Sequence, residues 1–105
     1  MGEKKYVWEM RPGLDRFRYH HRTEGKDVVE FVLQYEAYIE GRWHEIVRYD
    51  TAHNLPHRDI LHPDGTQTKT FFPYWSNAEA ITFGERDIKL DWRRYRRGYE
   101  EEMRK

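Results

Sequence analysis

Cysteine is absent from the 105 residues, and proline occurs only four times. Without thiols the chain can form neither disulfide bonds nor thiolate metal sites, which agrees with a reducing compartment. No stretch nears the roughly 20 apolar residues that a membrane-spanning helix needs, and the N-terminus lacks the apolar segment of a signal peptide. We therefore expect a cytoplasmic protein without a membrane partner.

An excess of charge of either sign is also missing, because 19 lysines and arginines balance 19 aspartates and glutamates. Such a chain has no global positive field, so any site for a polyanion must be local. Charged residues are nevertheless abundant, at 36% of the chain, and aromatic residues make up 16%. A chain of this length can bury one hydrophobic core, and we expect a single domain over residues 1–105.

Alternation of apolar and polar residues predicts antiparallel strands in the first two thirds of the chain. The clearest strand runs from Val28 to Ile39, where every second residue from Val29 onwards is apolar. A strand over residues 15–22 precedes it, and Glu40-Gly41 supplies a two-residue turn to a strand over residues 43–50. A further hairpin is predicted around Pro63-Asp64-Gly65, so the sheet should have four or five strands.

The last third of the chain predicts one helix. Ser76 and Glu79 have the spacing of a capping box, so the helix should begin near Ser76. The apolar residues that recur at helical spacing are Ile81, Ile88, Trp92, Tyr95, Tyr99 and Met103. We predict an α+β fold in which a curved antiparallel sheet (residues 14–73) packs against one long C-terminal helix (76–104), after an N-terminal arm (1–13).

Candidates for chemistry concentrate in the segment from Arg48 to His62, which holds three histidines, two arginines and two aspartates. A histidine exchanges a proton near neutral pH, a carboxylate can orient it, and an arginine stabilises phosphate charge. These residue types follow a strand end, where a sheet can hold a polar loop in fixed geometry. The catalytic group that we predict consists of His53, His57, Asp50 and Arg48.

This group could cleave RNA without a metal ion. One imidazole would take the proton of the 2′-hydroxyl as base, and the other would protonate the leaving oxygen as acid. Asp50 would orient an imidazole, while Arg48 would hold the phosphorane. Further residues of the segment are predicted to bind the substrate, namely Arg58, Asp59 and His62.

The same segment has two other interpretations. Its arginine and aspartate can form a salt bridge while the histidines bond to loop carbonyls, so the cluster would only fix the turn. His53 and His57 have the spacing that joins two imidazoles on a helix, but Pro56 disfavours a helix here. A metal site across the hairpin would use His53, His57, His62 and Asp50 or Asp59. We assign no metal and no other cofactor.

Two other polar clusters are interpreted as structural. His20 and His21 point to opposite faces of a strand, so at most one of them can join the segment described above. Arginines surround Tyr95 and could present a basic, aromatic face to RNA. We expect this helix face to be solvated instead, with the arginines paired to the following glutamates, Glu100, Glu101 and Glu102.

The order Arg48-Tyr49-Asp50-Thr51-Ala52-His53, followed by His57-Arg58-Asp59, resembles the R-Y-D-x-x-H core of TumE-type toxins and related small prokaryotic families. Residues 80–83 and 87–95 resemble the closing helix of those relatives. The resemblance implies a cytoplasmic α+β protein, the toxin of a toxin–antitoxin pair, that cleaves nucleic acid. RNA and an antitoxin protein are the implied partners, and a homodimer is one option for its assembly. The alternative is a non-enzymatic binding or accessory module whose polar loop is structural.

Overall fold

The computed structural model describes residues 1–51 and 55–105, and six strands and one helix lie within them. All six strands belong to one antiparallel sheet in chain order, so each strand pairs with the next along the sequence. Antiparallel neighbours can be joined by short turns, which this arrangement requires. The elements are β1 (Gly2–Arg11), β2 (Asp15–Glu24), β3 (Asp27–Ile39), β4 (Arg42–Asp50), β5 (His57–Leu61), β6 (Gln67–Phe71) and α1 (Asn77–Met103).

The predicted α+β class is confirmed, but the sheet has six strands instead of the expected four to five. The additional strand is β1, which occupies most of the segment that the sequence presented as an arm. β1 lies at the edge of the sheet and pairs only with β2, so it buries few of its side chains. An edge strand carries a weak apolar alternation, which is why the sequence indicates at most a short strand at Tyr6, Val7 and Trp8 within the arm.

The hairpin between β3 and β4 has the two-residue turn that the sequence predicts. Glu40 and Gly41 both have positive φ angles, of 50° and 83°. A type I′ turn requires this conformation at both central residues, and its twist matches that of the flanking strands. The turn fixes how β4 lies against β3.

Helix α1 packs across one face of the sheet, against β3 and β4. The capping box at Ser76 is confirmed, and the predicted apolar stripe lies against the core. Gly84 allows the close approach, because a Cβ atom there would lie 2.8 Å from Leu33 Cδ1 and 3.0 Å from Tyr49 Cγ. Trp92 contacts the ring of Tyr35 on the same face.

A β-bulge changes the face of one residue that alternation had assigned. Tyr35 pairs with Val47 and Glu36 pairs with Glu45, so Ile46 is an extra residue on β4. Ile46 and Val47 are therefore both buried, although alternation predicts opposite faces for them. Alternation over the predicted strand 43–50 places Ile46 on the same face as Arg48, and this prediction is wrong because of the bulge.

Polar side chains dominate the face opposite α1, which we call the open face. Antiparallel partners point to the same side, so the pairing aligns one residue from each strand in a cross-strand row. The row that we call the histidine row consists of Lys5, His20, Val32, Asp50, His57 and Phe71. The neighbouring row, which we call the arginine row, consists of Val7, Arg18, Gln34, Arg48, Asp59 and Lys69.

Candidate functional site

Asp50, His57 and Asp59 come together on the open face where β4 pairs with β5. Asp50 lies directly opposite His57 in the register, and Asp59 lies two residues further along β5 on the same face. His57 Nε2 is 2.9 Å from Asp50 Oδ1 and 3.4 Å from Asp59 Oδ2. All three residues are buried, with exposed fractions of 9% for Asp50, 1% for His57 and 6% for Asp59. We call these three residues the Asp–His–Asp group.

The other ring nitrogen of His57 determines which tautomer is present. His57 Nδ1 lies 3.1 Å from the carbonyl oxygen of Leu55. A carbonyl oxygen can only accept a hydrogen bond, so Nδ1 carries a proton and donates it. Nε2 then faces two carboxylates.

Asp50 connects the Asp–His–Asp group to a depression on the open face. Asp50 and Thr51 line a cavity of about 380 Å³, which adjoins a second cavity of about 410 Å³. The two cavities share His20 and Val32 as lining residues, and we call them together the open-face groove. Its charged or ionisable lining residues are Lys5, Arg18, His20, Arg22, Glu30 and Asp50.

Arg48 lies in the arginine row, but its guanidinium is directed to the side of the row away from the histidine row. Its Nε donates to Gln34 at 2.8 Å, and its Nη2 donates to Glu45 at 3.3 Å. Gln34 in turn donates to Glu36, which also pairs with Arg16 and Arg18. Arg48 is thus part of a charged network beside the Asp–His–Asp group.

The charges around Glu36 set its protonation. Burial on its own would raise the pKa of Glu36, but hydrogen bonds from Arg16, Arg18 and Gln34 outweigh it, so the pKa lies below its ordinary value. Arg16 also stacks over the ring of Trp43, with its guanidinium carbon 3.8 Å from the ring centroid. The open face is therefore covered by its own paired side chains.

Arg58 and His62 are not brought into the Asp–His–Asp group. Alternation along β5 turns Arg58 to the helix side, where its Nη1 lies 3.5 Å from the Tyr95 hydroxyl. His62 follows β5 and bonds to Glu102 at 2.9 Å and to Thr68 at 2.7 Å. Of the three predicted substrate-binding residues, only Asp59 lies at the group. His53 lies outside the described residues, and its role stays a prediction.

Two residues of the open face were not assigned to the site from sequence. His20 lines both cavities of the groove, and Lys69 Nζ lies 3.0 Å from Asp59 Oδ1. Alternation places His20 on one of two faces, but only the strand register shows that this face carries Asp50. The pairing of β5 with β6 places Lys69 opposite Asp59. The sequence predicted this hairpin but not which residues pair across it.

A second hydrogen-bonded cluster, built around the partly buried Asp87, lies on the helix side. Asp87 accepts hydrogen bonds from the hydroxyls of Tyr49 at 2.5 Å and Tyr95 at 2.6 Å. Burial and the hydrogen bond to Asp87 raise the pKa of Tyr95 to about 12, and the same two causes raise that of Tyr49. Both phenols stay protonated and donate to Asp87, so the cluster joins α1 to β4. Asp87 is therefore a structural carboxylate with which the carboxylates of the open face can be compared.

The described residues thus form an α+β protein in which a six-stranded antiparallel sheet holds a buried Asp–His–Asp group beside a charged groove. The chain belongs to the family described as "Domain of unknown function (DUF7718)", whose model matches residues 1–105. No curated protein and no solved structure shows significant similarity to the chain. Within residues 1–51 and 55–105, no helix combines the length and apolar character needed to cross a membrane.

Proposed function

We propose that this protein acts on nucleic acid as a small ribonuclease and that cleavage takes place in the open-face groove beside Asp50. The observation that carries the proposal is the position of Asp50, which belongs to the Asp–His–Asp group and also lines the groove. A reactive group must contact its substrate, and Asp50 has both a chemical partner and access to a cavity.

In this proposal Asp50 and His57 have different roles from those that the sequence suggested. His57 is almost fully buried and uses both ring nitrogens, on Asp50 and on the Leu55 carbonyl. Asp50 lies between His57 and the groove, so Asp50 is the group that meets RNA and His57 is the positioning residue behind it. The Asp50 carboxylate would take the 2′-hydroxyl proton as general base, so cleavage requires Asp50.

Cations along the groove would hold the phosphates. Lys5, Arg18, His20 and Arg22 line it, although Arg18 pairs with Glu36 and Arg22 pairs with Glu24 and Glu30. A phosphate must therefore compete with carboxylates that are already present. Binding of this kind is local and weakens as salt increases, which fits a chain without net charge.

The biological setting of the proposal comes from the R-Y-D-x-x-H core. Its resemblance to TumE-type toxins supports a cytoplasmic toxin that is neutralised by an antitoxin protein. Arg48 and His53 belong to this core, and His53 follows Asp50 closely enough in sequence to supply the acid. A homodimer is compatible with this setting.

The test is cleavage of a labelled single-stranded RNA by the purified protein. We expect Asp50→Asn to lower the cleavage rate by about 100-fold or more, since the reactive carboxylate is lost. His53→Ala should lower it by a similar factor if this histidine is the acid. Asp87→Asn is the matched control, because Asp87 is a hydrogen-bonded carboxylate on the helix side. It should lower the melting temperature but keep the activity of the folded fraction.

A second candidate function is a binding or accessory module without catalysis. The observation that favours it is that both nitrogens of the buried His57 are already engaged, as in a structural tie. In that case the wild-type protein would show no cleavage, and Asp50→Asn would act only through the melting temperature. Equal loss of activity in Asp50→Asn and Asp87→Asn, in proportion to loss of fold, would contradict the ribonuclease proposal.

A further inference from the structure

We propose that Asp50, His57 and Asp59 bind one divalent transition-metal ion, of the class of Zn²⁺ or Mn²⁺. The proposal concerns binding, so it stands or fails separately from RNA cleavage. It replaces the ligand set considered from sequence, because His62 bonds to Glu102 and Thr68 instead. The three residues each offer one ligand atom, and these atoms all lie within 4.8 Å of one another.

The distances within the group fit the edges of a coordination polyhedron. Ligand atoms about 2.1 Å from one ion are about 3.0 Å apart when they subtend a right angle and about 3.4 Å apart at the tetrahedral angle. The distances from His57 Nε2 to Asp50 Oδ1 and Asp59 Oδ2 are 2.9 Å and 3.4 Å. An ion can therefore be placed between these atoms with little movement of the two strands.

The orientation of His57 is the independent observation that indicates a ligand. Its Nδ1 lies 3.1 Å from the Leu55 carbonyl oxygen, outside the Asp–His–Asp group, and its Nε2 faces the two carboxylates. A metal-bound histidine characteristically donates its other N–H to a carbonyl or carboxylate, which fixes the ring. The His57 side chain is almost completely buried, so bulk solvent does not reach Nε2.

A proton on Nε2 is the competing account of the same geometry. An imidazolium would also satisfy the two carboxylates, and the Asp–His–Asp group would then be an ion-paired tie without a metal. Lys69 distinguishes the metal site from the ion-paired tie. Its Nζ lies 3.0 Å from Asp59 Oδ1, so its positive charge repels a cation bound at Asp59 Oδ2. Removing that charge should strengthen metal binding only if the ion binds here.

The donor set indicates the kind of ion. Imidazole suits zinc and other transition metals, and carboxylates suit manganese and magnesium, so one imidazole with two carboxylates suits Mn²⁺ or Zn²⁺. The accessible side of the group is Asp50, which lines the groove, so water or a phosphate oxygen could complete the coordination there. An open coordination position of this kind is typical of catalytic metal sites.

The experiment is calorimetric titration of the full chain, treated with chelator and dialysed, with MnCl₂ and separately with ZnCl₂. We expect one saturable site and a higher melting temperature with the ion bound. Asp59→Asn and His57→Gln should each weaken binding by about tenfold or more, and Lys69→Gln should strengthen it. Asp64→Asn is the control for unspecific binding, because Asp64 is an exposed acid in the β5–β6 turn that bonds only to Thr66 among the described residues.

Each outcome decides the proposal. Saturable binding that Asp59→Asn weakens and Asp64→Asn leaves unchanged supports it. It is overturned if the wild type shows no saturable binding below about 1 mM of either ion, or if Lys69→Gln and Asp59→Asn leave the affinity unchanged. Should His57→Gln fail to fold, paramagnetic broadening by Mn²⁺ of the wild-type His57 ring signals replaces it, and broadening confined to other histidines contradicts the proposal.

The two proposals fail in different ways. Metal binding without RNA cleavage leaves the metal site intact and contradicts the ribonuclease. Cleavage by a protein that binds no metal ion supports the ribonuclease and overturns the metal site.

Discussion

At the scale of single residues, the buried Asp15 shows by contrast what is unusual about the Asp–His–Asp group. Asp15 is fully buried, and it accepts hydrogen bonds from Arg11, Tyr35 and Arg96. Its partners are two permanent cations and a phenol, a combination that anchors the start of β2 to α1. Asp50 and Asp59 instead share one titratable imidazole beside a groove.

Glu36 provides a pH-dependent prediction. Its pKa lies below the ordinary value in the folded protein, so the ionised form stabilises the fold above that ordinary value, and this stabilisation is lost as the pH falls through the lowered pKa. Glu36→Gln removes the negative charge that Arg16 and Arg18 share. We expect it to lower the free energy of unfolding at neutral pH by about 1–2 kcal/mol.

The difference between wild type and Glu36→Gln should shrink below about pH 4, since the wild-type carboxylate is then being protonated. Urea unfolding at a series of pH values measures it. A difference that stays constant down to the acid limit of folding would show that the charge of Glu36 does not stabilise the sheet.

At the scale of elements, the packing of α1 on the sheet depends on one glycine. Gly84 faces Leu33 and Tyr49 at distances that leave no room for a methyl group, whereas a methyl group at Gly98 on the same helix would meet no neighbouring atom of the described residues within 4 Å. Both positions are helical, so alanine improves the local helix propensity at each. Comparing alanine substitutions at the two glycines therefore distinguishes the effect of packing on stability from the effect of helix propensity.

Gly84→Ala should lower the free energy of unfolding by about 1–3 kcal/mol, because overpacking outweighs the gain in helix propensity. Gly98→Ala should raise it by about 0.5–1 kcal/mol. Denaturant unfolding of the two variants beside the wild type gives both values. Stabilisation by both substitutions would mean that α1 lies further from the sheet than the contacts of Gly84 indicate.

The elements that the sequence predicted well are those whose signal is local. The alternation of β3, the Glu40-Gly41 turn and the capping box at Ser76 each depend on a few neighbouring residues, and each is confirmed. The bulge at Ile46 was missed because it depends on how β4 fits against β3. Most of β1 was missed because an edge strand buries too little to need a regular pattern.

The site was predictable only in part for the same reason. Asp50, His57 and Asp59 lie in one short segment, so residue type and spacing were enough to propose them. Arg58 adjoins them in sequence but faces the helix, whereas His20 and Lys69 come from other strands and reach the site through the register. A cross-strand row is not visible in a sequence until the pairing of every strand is known.

At the scale of the whole molecule, the two faces of the sheet differ in the side chains that they carry. The helix side holds the apolar core and the Tyr49–Asp87–Tyr95 cluster, which joins α1 to the sheet. The open face carries two polar rows that cross all six strands and a groove beside Asp50. Two arginines of α1 are paired with other groups, since Arg96 bonds to Asp15 and to backbone carbonyls, and Arg94 bonds to Asp91.

The most direct test of the open face as the nucleic-acid site is an NMR titration of the wild-type protein with a 2′-O-methyl RNA oligonucleotide, which can bind but lacks the 2′-hydroxyl needed for cleavage. The amide signals of Lys5, His20, Val32 and Asp50 should shift, with a smaller response at higher salt. Shifts confined to the exposed side of α1, or no shifts at all, would contradict the account.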